Sequence, residues 1–112
     1  MKTQELLCIT VESVEDARLI RAAGEVDLST AHQLRQELDT ARDDRIAAVL
    51  DLSQVTFIDS TGLQLLLEQT REAVGTDWAF FVLRPSAAVR RVIELSRTGD
   101  LLPLIAPAAA RV

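Results

Sequence analysis

Between residues 17 and 95 the chain alternates short extended apolar runs with longer stretches whose apolar residues recur at helical spacing. This alternation limits the fold more than any other feature, because extended runs joined by crossovers of more than about ten residues pair in parallel and carry helices on the sheet. The spacing predicts one helix with Ala31, Leu34, Leu38 and Ala41 inward, a second with Leu63, Leu66, Leu67, Thr70 and Val74, and a third with Val89, Val92 and Ile93. Ser29 is the expected N-cap of the first, Asp43-Asp44 its end, Gly75 the stop of the second, and Pro85-Ser86 the start of the third. Ile46 to Leu50 and Trp78 to Leu83 are predicted strands, the former buried on both faces, with Val55 to Ile58 a short extended piece. Ahead of them, residues 6 to 11 and 17 to 23 flank the polar stretch 12 to 16, which predicts an antiparallel hairpin closed by Gly24. The predicted order is ββαβαβα, an α/β domain whose mixed sheet opens with that hairpin, continues in parallel strands and is covered by helices. Residues 1–112 are expected to form a single domain, with a docked end from 99 and a frayed tail over 106–112.

Composition removes several functional classes. Twelve basic residues against 17 acidic ones give a formal net charge of −5. A protein built to neutralise phosphate backbones needs clustered Lys and Arg, so nucleic acid is not an expected direct partner. Arg84, Arg90 and Arg91 lie close in sequence, but Glu68, Glu94 and Asp100 dilute them, and a solvated helix face is expected. With Cys8 as the single cysteine and His32 as the single histidine, neither an internal disulfide nor a four-ligand zinc site can be assembled, and a reducing cytoplasm is the expected compartment. Cys8 lies between Leu7 and Ile9 and is expected to be an inert small hydrophobe. Trp78 opens an apolar run and is assigned to the core. No nucleophile elbow, phosphate-cradling glycine loop or dinucleotide fingerprint occurs, so neither catalysis nor a cofactor is expected. No stretch approaches the roughly 18 apolar residues of a membrane span, and membrane insertion is not expected.

What remains is the unbroken string from Asp51 to Leu63, in which Asp59-Ser60-Thr61-Gly62 opens a helix. Backbone N–H groups and the helix dipole at such a start tolerate added negative charge, so a phosphate on a hydroxyl there is partly stabilised. Asp59 beside it, with Asp27 if the loop after the second strand folds to the same edge, makes the modified surface strongly anionic and suits it to a binding switch. The same string also suits an ordinary helix start, with Thr61 and Gln64 at capping-box spacing. Gly62 costs about 1 kcal/mol of helix propensity relative to Ala, which suggests that something approaches the backbone there.

Three segments in order resemble the STAS domain of bacterial anti-sigma factor antagonists: Gly24-Glu25-Val26-Asp27, the run Asp51-Leu52-Ser53 through Phe57-Ile58-Asp59-Ser60-Thr61-Gly62-Leu63, and Pro85 to Leu95. The polar Ser96-Arg97-Thr98-Gly99-Asp100 departs from the family pattern at the end of the third helix. The resemblance implies Ser60 as phosphoacceptor, with Asp27, Asp59, Ser60, Thr61 and Gly62 in the partner-binding surface. It also implies a cycle in which the unmodified protein binds an anti-sigma factor and frees sigma, the anti-sigma serine kinase phosphorylates Ser60, and a serine phosphatase resets it. A non-switching scaffold subunit of a transporter complex or stress-signalling assembly is the alternative. In the switching cycle, catalysis belongs to the partners.

Overall fold

In the computed structural model, which describes residues 6–105, alternation places Leu7 and Ile9 of β1 (Leu7–Val14) against the core and Cys8, Thr10 and Glu12 on the other face. β1 pairs antiparallel with β2 (Ala17–Val26) from Leu7↔Gly24 to Val14↔Ala17, around a turn at Glu15 and Asp16 in which Glu15 has φ 55°. The hairpin is longer than predicted. Polar Glu12 and Ser13 stay extended because an edge strand can turn them to water, Glu12 meeting the Arg21 guanidinium at 2.9 Å, while Val14 packs against Leu19, Val49 and Leu83 on the same face. Gly24 does not close the hairpin. It lies within β2 at φ 114°, where an added Cβ would strike the Leu6 carbonyl oxygen, the acceptor of the Glu25 N–H at 2.8 Å. Cys8 is exposed rather than buried among hydrophobes, since period two puts it on the face opposite Leu7.

Helix α1 (Ala31–Asp43) buries Ala31, Leu34, Leu38 and Ala41 as the spacing predicts. Its N-cap is Thr30 rather than Ser29. β3 (Ala47–Ile58) is one strand of 12 residues where two pieces were expected. Asp51, Ser53 and Gln54 around the buried Leu52 read as a loop in sequence, but two register shifts against β2 absorb the extra residues, and Val26 still pairs with Ile58. α2 (Ser60–Thr76) runs through Gly75 and ends where Asp77 adopts a left-handed φ of 59°. Trp78 sets that end. It is buried, donates its indole N–H to the Ile46 carbonyl at 2.8 Å, and stacks on Phe80 with centroids 5.3 Å apart, so β4 is only Phe80–Leu83. The inner face of α2 is Gly62, Leu63, Leu65, Leu66 and Gln69, while Val74 is exposed. A buried glutamine inside the stripe defeats a reading based on apolarity alone.

Ser86 caps α3 (Ala87–Ser96), accepting the Val89 N–H at 3.3 Å and donating its hydroxyl to the Val55 carbonyl at 2.6 Å. Val89 and Ile93 are buried. Arg84 is not part of a solvated helix face: it lies 3.7 Å from the buried carboxylate of Asp51. A 3-10 turn at Gly99–Leu101 leads to an unpredicted β5 (Leu104–Ile105), which pairs parallel with β4. Two residues after a proline carry too little periodicity to announce a strand. The expected tail, 106–112, lies outside the described residues.

The sheet order is β1-β2-β3-β4-β5, antiparallel only at β1 and β2. Ile20, Leu50 and Val82, side by side in register, share one cluster with the buried residues of all three helices. The opposite face carries a small separate cluster of Leu19, Val49 and Leu83, with Val14 and Ile105 against it. Among the described residues no helix is long and apolar enough to cross a membrane. The strand topology positions the site: β2 and β3 end side by side at Val26 and Ile58, so the β2–α1 loop and the start of α2 leave the sheet from one edge.

Candidate functional site

Asp59 is the extended residue between β3 and α2 and the true N-cap of that helix, so the capping box at Thr61 and Gln64 does not form. One carboxylate oxygen, Oδ1, accepts the Gly62 N–H at 3.0 Å. The other, Oδ2, accepts the Leu28 N–H at 3.3 Å, and the Asp59 N–H donates to the Val26 carbonyl at 3.2 Å. One side chain thus caps α2 and holds the loop after β2.

Asp27 organises that loop. Its Oδ1 accepts the Ser29 N–H at 3.0 Å, the Ser29 hydroxyl at 2.8 Å and the Thr30 N–H at 3.2 Å. These bonds, the Ser29 hydroxyl first, hold the carboxyl below the ordinary aspartate value. The buried Thr30 hydroxyl donates to the Glu25 carbonyl at 2.7 Å and accepts the Asp27 N–H at 3.0 Å. Asp27 and Asp59 therefore come to the same edge through Leu28, which meets the condition that the sequence sets for Asp27.

Ser60, the first residue of α2, is exposed, and its hydroxyl has no hydrogen-bond partner among the described residues. Asp59 takes the Gly62 N–H with its carboxylate and the Leu63 N–H with its carbonyl at 3.0 Å. The N–H groups of Ser60 and Thr61 are left to solvent or to an added anion. Thr61 is half-buried. Gly62 faces inward: a Cβ there would meet Ile58 Cγ1 at 2.7 Å, the Val26 carbonyl at 2.8 Å and Val26 Cγ1 at 3.0 Å. What approaches this glycine is the chain's own β2 and β3, so it fixes how close α2 lies to the sheet and offers no surface. His32 is exposed in the first turn of α1.

Leu28 was not picked out in the sequence. It is 80% exposed at the centre of this edge, and an isolated leucine in a polar loop has no periodic signal. Phe57, 48% exposed near the end of β3, is another large apolar side chain left uncovered close to Ser60 in sequence.

A protein-family profile described as "Mlab, STAS domain" matches residues 9–104. The chain is 32% identical over 96 residues to the anti-sigma-F factor antagonist RsfB of Mycobacterium tuberculosis strain H37Rv, covering 85% of this chain and 78% of the relative. Among solved structures it is similar to an anti-sigma factor antagonist from Mycobacterium paratuberculosis, with TM-score 0.77, 32% identity and coverage of 88% of this chain and 84% of that one. It is also similar to the anti-sigma factor antagonist SpoIIAA in its unphosphorylated form, with TM-score 0.72, 26% identity and coverage of 88% and 87%.

Proposed function

The chain belongs to the STAS-domain family, among the anti-sigma factor antagonists, and from that premise we propose that its unmodified form binds an anti-sigma factor and that phosphorylation of Ser60 ends the binding. The observation that carries this reading is the placement of Ser60: an exposed hydroxyl at the first turn of α2, with no hydrogen-bond partner among the described residues, next to Asp59, whose carboxylate holds the loop that Asp27 orders. A kinase can reach that oxygen without unfolding anything. Transfer of the γ-phosphoryl group of ATP to it, with loss of the hydroxyl proton, adds a charge of about −1.5 to −2 at neutral pH. The open N–H groups of Ser60 and Thr61 favour the phosphate locally, while the two aspartates and any partner surface that had accepted an uncharged serine oppose it. Binding is lost through repulsion and desolvation at the contact, and catalysis resides in the partners, an anti-sigma serine kinase and a resetting serine phosphatase.

The test is a binding titration against the anti-sigma factors encoded by the host genome, with the modified residue mapped by mass spectrometry after incubation with ATP. Ser60→Ala is expected to bind as the wild type does and to resist modification, and Ser60→Asp to bind at least about tenfold more weakly. Equal binding by all three proteins overturns the switch.

A further inference from the structure

We propose that Leu28 is the apolar anchor by which this edge seats its protein partner, and that the partner meets it with an apolar socket bordered by basic side chains. The inference rests on the reading of the Ser60 edge as the partner-binding surface and names the chemistry of recognition there.

Exposed leucines occur singly on most proteins and mean little alone. Leu28 differs in how it is held. Its own N–H is bound by Asp59 Oδ2, the next two N–H groups are bound by Asp27 Oδ1, and the Thr30 side chain is buried and tied to Glu25. The backbone on both sides is fixed, yet the side chain remains 80% exposed. Loop ordering is thus completed in folding and need not be supplied on association, which is the condition under which a single apolar side chain contributes most to affinity. Val74, as exposed as Leu28, lies near the other end of α2, remote from Ser60.

Charge indicates what surrounds the socket. Segments 22–34 and 46–70, which contain both sides of this edge, have no lysine or arginine. Their acidic residues include Asp59, bound to the Leu28 N–H, and Asp27 and Glu25 in the chain just before Leu28. A complementary partner surface places Arg or Lys around its apolar centre, an arrangement that orients the complex and speeds encounter. Asp59 then acts as a positioning residue: its second oxygen holds Leu28 out while the first caps the helix bearing Ser60.

Two carboxamide variants separate position from charge. Asp59→Asn keeps an oxygen for the Gly62 N–H and loses the acceptor for Leu28, whereas Asp27→Asn removes the same charge and keeps the Oδ1 that makes the loop's bonds to Ser29 and Thr30. Both, with Leu28→Ala and Ser60→Asp, are titrated against the host anti-sigma factor that the wild type binds. Leu28→Ala is expected to bind about tenfold more weakly with an unchanged melting temperature, and Asp59→Asn several-fold more weakly than Asp27→Asn, with faster hydrogen exchange of the Leu28 amide. Raising salt from roughly 0.05 to 0.5 M is expected to weaken the wild-type complex. Leu28→Ala binding within about twofold of wild type overturns the anchor, and if Ser60→Asp still loses binding, the reading of the edge stands without it. Equal effects of the two carboxamide variants overturn the positioning role of Asp59, and salt-independent binding overturns the basic border. Self-association of the wild type that Leu28→Ala abolishes would assign the socket to a second copy and overturn the partner. If the wild type binds no anti-sigma factor of the host, the reading and the inference built on it both fall.

Discussion

Gly62 shows how one residue shapes the site from within. Its missing side chain lets α2 approach Val26 and Ile58, the last residues of β2 and β3. Alanine would gain about 1 kcal/mol of helix propensity but overpack against a backbone carbonyl that cannot rotate away, at about 1 to 3 kcal/mol. Gly62→Ala is therefore expected to lose on the order of 1 kcal/mol of stability, measured from the urea unfolding midpoint. A gain in stability would show that the helix shifts freely on the sheet. The glycine was legible in the sequence as a cost without a local reason. What presses on it was not, since Val26 is 36 positions away.

At the scale of elements, α1 and α2 are joined by a polar contact inside an otherwise apolar cluster. Gln69 is 1% exposed, donates from Nε2 to Asp39 Oδ1 at 3.0 Å and receives the Arg42 guanidinium on Oε1 at 3.4 Å. Asp39 and Arg42 also pair directly at 3.2 Å, and both keep partial access to water. Removing the amide therefore strands neither charge. Gln69→Met, similar in volume, is expected to change stability by less than about 1.5 kcal/mol, whereas Gln69→Ala is expected to cost about 2 to 3 kcal/mol through the cavity it leaves. Equal losses in the two variants would mean that the hydrogen bonds, not the volume, hold the helices together. The same residue explains why the inner stripe of α2 was misread: α1, with only apolar residues inward, was legible at every inward position, and α2 was not.

On the scale of the whole molecule, Ser60, the proposed switch residue, sits where new charge has solvent on one side and an ordered loop on the other. Screening confines an exposed charge to about 10 Å at 0.1 M salt, and the Ser60 hydroxyl makes no bond whose loss would be transmitted inward. Ser60→Asp is thus expected to move backbone amide resonances only around residues 26–31 and 58–64, leaving α3 and β5 unperturbed in a two-dimensional NMR spectrum. Shifts spread across the sheet would replace local repulsion with a conformational mechanism. The string Asp59 to Gly62, the inward face of α1, the Ser86 helix start and the parallel order of strands were all determined by the sequence alone, because each depends on residues within a few turns or on crossover length. Only the tertiary structure decided that Asp59 clasps Leu28 across 31 positions, that β3 continues through a polar stretch, that Cys8 faces outward and that β5 exists. Those features depend on which backbone groups and side chains meet once the layers have packed, and distance along the chain carries no record of that meeting.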